Sequence, residues 1–193
     1  MIAGGSAGLG LVIARTFLSA DYHIVIVGRD PGRLNLAAEQ LRSSGGSGVT
    51  VLCGDMSERD QADGIAGKIA DQLGRLDVLV NCIGASDRGL VEKLTAEQIH
   101  RLVQQNVIAT LHCSQASLPL LIQSGGTVVN IGSLAGKVTA RYLGGYNVAK
   151  HALTGLTGQM RMLLAVGHAF PGLGDWLLLK FTSSPDPPSP RKH

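Results

Sequence analysis

The chain has 193 residues, 45% of them hydrophobic, 16% charged and 4% aromatic, with 26 glycines and a formal net charge of +3. Length and apolar content suffice for one globular domain with a sizeable core, while scattered basic residues and few aromatics exclude a nucleic-acid interface built on charge and base stacking. The longest apolar runs fall short of the roughly 20 residues that a membrane span needs, and LVIARTFLSA at 11–20 lacks the basic flank of a secretory signal.

The chain opens on MIAGGSAGLG, a glycine cluster with only Met1, Ile2 and Ala3 in front of it. Such a cluster ordinarily follows a buried strand, so an incomplete first strand is expected, and a turn short of its usual support. From residue 9 the positions Leu9, Val12, Ile13, Thr16, Phe17 and Ala20 recur at helical spacing and predict a helix with that stripe inward. HIVIVG at 23–28 reads as a short buried strand. A helix beginning near Pro31 runs to the Ser/Gly stretch SSGGSG at 43–48, and the strand VTVLCG and a helix over about 58–73 follow. Next come the strand LDVLVNCIG, a loop, a long helix from about Thr95 to Ile122, the strand GTVVNIGS and a helix from about Tyr142. Strands alternating with helices of this length imply parallel βαβ units, hence an α/β doubly wound parallel sheet, Rossmann-like, with helices on both faces. Residues 1–165 are expected to form that domain. Residues 166–193, which collect the single Trp and most of the prolines, read as a divergent, largely disordered tail. Cys53, Cys82 and Cys113, odd in number and set in apolar segments, read as reduced core residues rather than disulfide or zinc ligands, which implies a reducing, cytoplasmic setting and no metal site.

Ligands of an open parallel sheet lie beyond the carboxyl ends of its strands, so chemistry is expected in the loops there. Gly4, Gly8 and Gly10, spaced GxxxGxG ahead of the first helix, let the backbone approach a pyrophosphate and turn helix amides toward it. In VGRD at 27–30, where dinucleotide folds meet the adenosine ribose, Arg29 favours a 2′-phosphate and Asp30 a free 2′-hydroxyl. Tyr146 and Lys150 share a helix face, and an ammonium beside a phenol favours the charged form, making the group usable as a general acid or base. Ser133, at a strand end, is placed to hydrogen-bond a substrate carbonyl. Asn106 interrupts an apolar stripe of Ile99, Leu102, Val103 and Thr110, and a buried amide must find partners in the main chain or in a ligand.

Taken together, GxxxGxG, NCIG at 81–84, Asn106, Ser133 and YxxxK at 146–150 resemble the short-chain dehydrogenase/reductase family over residues 1 to about 162. The resemblance implies an NAD(P)-dependent oxidoreductase that moves a hydride between NADP(H), with NAD as the alternative, and a carbonyl or secondary alcohol. By that resemblance Tyr146 exchanges the proton, Ser133 steadies the substrate oxygen, Lys150 tunes Tyr146 and holds the nicotinamide ribose, and Asn106 positions a water behind Lys150. Gly4, Gly8, Leu9, Gly10, Arg29, Asp55, Asn81 and Gly84 would line the cofactor together with Tyr146 and Lys150. The partner is then a small molecule, with no nucleic acid or membrane, and a homo-oligomer is implied. Ala3 and Cys82 depart from the family pattern, as do both ends, where the first strand is short and the last strands are missing or aberrant. The alternative reading is a non-catalytic remnant or nucleotide-binding regulator that pairs with a full-length relative.

Overall fold

The computed structural model describes residues 1–44, 48–139 and 141–169. Five strands, β1 (Ile2–Ala3), β2 (Ile24–Gly28), β3 (Val49–Cys53), β4 (Val78–Asn81) and β5 (Thr127–Asn130), form one parallel sheet in the order β3-β2-β1-β4-β5. They alternate with α1 (Gly8–Leu18), α2 (Pro31–Ser43), α3 (Arg59–Leu73), the pair α4 (Ala96–Val103) and α5 (Ala109–Ser124), and α6 (Gly144–Ala169). The period-2 geometry of a strand divides the core between the two faces. Ile24 and Ile26 point to one side, where they pack with Ile2, Ala14, Leu34, Ala38 and Leu41 beneath α1 and α2. Val25 and Val27 point to the other, where Ala3, Ile65, Ile69, Leu79, Cys113 and Leu121 close the layer beneath α3 and α5. A strand buried on both faces reads as the continuous apolar run IVIVG.

Two residues make β1 short, yet it is the central strand and pairs on both edges. Ile2 lies against Ile26 and Val80, and Ala3 against Val27 and Asn81. The Val80 and Cys82 N–H groups donate to the Met1 and Ala3 carbonyls at 2.9 Å, and the Met1 nitrogen donates to the Val78 carbonyl at 2.7 Å. The Gly4 N–H then continues the pattern onto the Val27 carbonyl at 2.8 Å. The first strand is as short as expected, and the turn after it is held by these hydrogen bonds to β2 and β4. Beneath Met1, between the starts of β2 and β4, lies a cavity of about 230 Å³ lined by Phe17, Tyr22, Leu73 and Leu76. It is at the opposite end of the sheet from the loops that follow the strands.

Helix α1 is rotated relative to the stripe expected from its sequence. Leu9 and Val12 are 55% and 57% exposed, and Gly10 and Ala14 are buried instead, flanked by the partly buried Ile13 and Phe17. Steric contact decides the rotation, because a methyl at Gly10 would overlap the Gly4 carbonyl oxygen. Only the smallest residue lets the helix sit on the turn, and its neighbours follow.

The long helix is continuous in direction but contains a π turn over Gln104–Ile108 between α4 and α5. Thr95 and Gln98 form a capping box at its start, the Thr95 hydroxyl accepting from the Gln98 N–H at 3.2 Å and the Gln98 side-chain Oε1 accepting from the Thr95 N–H at 2.9 Å. Of the cysteines Cys113 is a core residue and Cys82, half-buried at the end of β4, packs against the core, whereas Cys53 is exposed at the end of β3, which corrects the expectation for Cys53. Burial pushes the Cys113 thiol up to about 12, as an inert core thiol should be. The tail expected from residue 166 lies, from residue 170 onward, outside the described residues, and 166–169 belong to α6. Among the described residues no helix is long and apolar enough to cross a membrane.

Gly10→Ala should cost about 1–3 kcal/mol of stability by overpacking, read as a lower denaturant midpoint at unchanged slope. Gly64→Ala, at an exposed interior position of α3 where an added methyl meets nothing, should instead stabilise by about 0.4–1 kcal/mol.

Candidate active site

The loops after β1, β2, β3 and β4 open onto a common cleft of about 260 Å³. Its floor is the glycine turn. Gly4 has φ +84°, a conformation that favours glycine, and a methyl there would stand 2.5 Å from the Cys82 carbonyl oxygen. Gly8, with φ +52°, starts α1 without any crowding, and Ser6 and Ala7 complete the turn's contribution to the wall.

At the β2 end stand Arg29, Asp30 and Arg33. The Asp30 carboxylate caps α2 by accepting from the Arg33 N–H at 3.0 Å and lies 3.8 Å from the Arg33 guanidinium. Arg29 is more loosely held, its side chain 63% exposed and 3.5 Å from Asp55. Asp55 begins the loop after β3, where its Oδ1 accepts from both the Ser57 N–H at 2.9 Å and the Ser57 hydroxyl at 2.8 Å. Burial works to raise the Asp55 carboxyl, but the two Ser57 hydrogen bonds and the Arg29 charge outweigh it and hold the group below its ordinary value.

At the β4 end, Gly84 with φ +153° leaves the space that the Asn106 side chain occupies. Asn106 is fully buried; its amide nitrogen donates to the Ala85 and Leu102 carbonyls at 2.9 Å each, and no donor reaches its Oδ1. A methyl at Gly84 would be 3.7 Å from Lys150 Nζ, which brings the ammonium to the same corner. Lys150 is 4% exposed, and its ammonium donates to the Ile131 carbonyl at 3.1 Å and lies 5.7 Å from the centroid of the Tyr146 ring. Burial pushes the Lys150 ammonium below its ordinary value, with Cys82 acting in the opposite direction.

Ser133 follows β5 and caps the short 3-10 turn Leu134–Gly136, its hydroxyl accepting from the Ala135 N–H at 3.2 Å. Both flanks of this residue touch Lys150: Ile131 through the ammonium, and Gly136 through close packing on the Lys150 carbonyl, where a methyl would come within 2.6 Å. Lys150 thus ties α6, with Tyr146 one turn before it, to the end of β5 that Ser133 follows.

Gly4, Arg29, Asp55 and Gly84 line the cleft. Leu9 does not, because it faces solvent on α1, and Gly10 lies buried beneath the turn. Asn81 is also elsewhere. Its amide nitrogen is committed inside the sheet, donating to Ser114 at 2.9 Å and to Asn130 at 2.8 Å, while Asn130 in turn donates to Thr157 on α6 at 3.0 Å. Ser6, Arg33, Met56, Ser57 and Gln105 line the cleft without having been anticipated. Gln105 stands next to Asn106 in QQNVIAT, and only the π turn brings it round to the cleft.

The family model for short chain dehydrogenase matches residues 1–167. An uncharacterized oxidoreductase of Staphylococcus epidermidis is 30% identical over 166 residues, covering 86% of this chain and 70% of its own. The D-beta-hydroxybutyrate dehydrogenase of Rhizobium meliloti is 28% identical over 167 residues, covering 86% and 65%. A crystal structure of a metagenomic short-chain oxidoreductase in complex with NADP superposes with a TM-score of 0.80 at 28% identity, covering 86% of this chain and 76% of that one. The chain belongs to the short chain dehydrogenase family, and its class is that of the NAD(P)-dependent oxidoreductases.

Because the Asp55 carboxyl is held low in the folded chain, its contribution to stability is complete above its unfolded value of 3.8 and is lost as pH falls through the lower folded value. Thermal melts between pH 7 and pH 3 should show Asp55→Asn less stable at neutral pH and less sensitive to acid than the parent chain.

Proposed function

We propose that the chain binds NADP(H) along the cleft and transfers hydride between it and a carbonyl or secondary alcohol held over Tyr146 and Ser133. The observation that carries this reading is a buried ammonium that stands beside the Tyr146 ring on α6, is tied to the end of β5 that Ser133 follows, and adjoins Gly84 in the wall of the glycine-floored cleft. The residues fit a dinucleotide: the turn at Gly4 presents backbone with no side chain in the way, and Asn106 and Gln105 each hold a buried carbonyl oxygen that no donor reaches. The relative named D-beta-hydroxybutyrate dehydrogenase and the NADP-bound neighbour support it.

When bound, the nicotinamide supplies or accepts the hydride. The protein's share is placement and proton management. The Tyr146 hydroxyl gives its proton to the carbonyl oxygen during reduction and takes it back during oxidation. The Lys150 ammonium stands beside the Tyr146 ring, and the Ser133 hydroxyl hydrogen-bonds the substrate oxygen and fixes its position. Anchoring Lys150 on the Ile131 carbonyl keeps the ammonium at the height of the Tyr146 ring. Asn106 Oδ1 offers an acceptor beside the same ammonium, suited to a water that relays the proton outward.

The phosphorylated cofactor is favoured by how the charges at the end of β2 are used. Asp30, the residue that would meet a free 2′-hydroxyl, is committed to capping α2, while Arg29 extends into the cleft with a single loose partner. Arg29 therefore pairs with the 2′-phosphate.

Mixing the chain with NADPH should enhance cofactor fluorescence, and a panel of small ketones should be turned over. Absence of both would refute the reading. Tyr146→Phe should retain NADPH binding and lose about 10²–10⁴-fold in turnover. Arg29→Ala should weaken NADPH by about tenfold or more while leaving NADH nearly unchanged, checked by titrating both cofactors.

A further inference from the structure

Among the described residues the two most exposed large apolar side chains are Val91, at 72%, and Leu134, at 71%. They come from different loops, one after β4 and one after β5, and both loops close on α6. A methyl at Gly144 would stand 3.5 Å from Val91 Cγ2 and 3.2 Å from Leu94 Cδ2, so the 3-10 turn Val91–Lys93 rests on the first residue of α6. A methyl at Gly136 would come within 2.6 Å of the Lys150 carbonyl, so the turn Leu134–Gly136 packs further along the same helix. Tyr146 lies on α6 between these two contacts, and Ser133 directly precedes Leu134.

A third apolar group joins them just before α6. Tyr142, 47% exposed, has φ +65°, a left-handed conformation that residues other than glycine seldom adopt and that a fold retains where its surroundings hold it. Its carbonyl accepts from the Gly89 N–H at 2.9 Å, next to a parallel bridge between Gly89 and Leu143, and the Arg141 guanidinium lies over its ring, 5.1 Å from the centroid. The exposed Leu90 and Val138 extend the same two loops with further apolar surface. Exposed apolar side chains scattered singly are ordinary, but a group drawn from three segments around one stretch of helix marks a surface that meets an apolar ligand or partner. The position decides between the two: these segments adjoin the serine and the phenol that the proposed function assigns to the substrate oxygen.

We infer that the molecule whose carbonyl or alcohol carbon reacts beside Tyr146 carries a hydrocarbon body, received by Val91, Leu134 and Tyr142. This rests on the function proposed above and adds the substrate class, which the groups that exchange the proton do not specify.

The test measures turnover with NADPH of methyl ketones of four, six and eight carbons, beside a dihydroxy ketone and a keto acid of four carbons. On the full chain kcat/KM should rise about threefold with each added methylene, and both polar ketones should fall below the four-carbon methyl ketone. In the double variant Val91→Ser with Leu134→Ser, the rise should shrink to less than about twofold per methylene. Tyr142→Asn, which keeps a residue tolerant of the left-handed backbone, should do the same. NADPH affinity, read by fluorescence titration, should match the parent's in both, and a thermal melt establishes that each is folded. If the double variant does not melt cooperatively, the two single serine variants take its place. A flat series, a preference for either polar ketone, NADPH binding without turnover of the methyl ketones, or a slope unchanged in the folded variants overturns the inference alone. Loss of self-association in the variants, seen by sedimentation with the slope unchanged, assigns the patch to a contact between copies and likewise overturns it. Failure of the parent chain to bind NADPH overturns the functional reading and the inference together.

Discussion

Three stretches of main chain meet at the glycine turn with no room between them for a methyl group. Gly10 at the start of α1 sits on the Gly4 carbonyl, and Gly4 sits on the Cys82 carbonyl at the end of β4. Protein interiors do not yield easily to an extra carbon, so this contact is a constraint and not a preference. It decides which face of α1 is buried, ties the turn to both neighbours of β1, and leaves a floor of bare backbone at the carboxyl ends of the strands. The brevity of β1 matters less than it seems from the sequence. Its residues are held on both edges by the sheet, and the turn that follows is held by Val27.

The other end of the cleft is held by polar groups instead of close packing. A chain of side-chain hydrogen bonds passes from Ser114 on α5 through Asn81 on β4 and Asn130 on β5 to Thr157 on α6. Lys150 adds a second tie from α6 to the main chain of β5. Hydrogen bonds are directional, so two such ties set both the height and the rotation of α6, and with them the position of Tyr146 one turn before Lys150. A helix held only by apolar contacts would be freer to slide along the sheet.

The two ends suit two tasks. Close backbone approach and exposed arginines at the β1 and β2 loops suit an anionic, extended ligand, whereas on the function proposed above the buried ammonium and phenol of α6 and the serine after β5 serve proton transfer. The chain spans between 65% and 76% of the length of the relatives named above.

The alternation of β-branched runs with helical stripes, the glycine turn and the pairing of Tyr146 with Lys150 were legible from the amino-acid order, because each depends on neighbours a few residues away. IVIVG reads as a doubly buried strand wherever it is found, and positions four apart on a helix share a face. The rotation of α1, the commitment of Asp30 to a helix cap, the withdrawal of Asn81 into the sheet and the arrival of Gln105 at the cleft were not legible. Each depends on contacts with groups distant in sequence or on a local irregularity such as the π turn, and periodicity carries no record of either. Sequence alone determined which residue types were available for binding and proton transfer. Tertiary structure decided which of them face the cleft, because a side chain drawn into the sheet or spent on a helix cap is turned away from any ligand there.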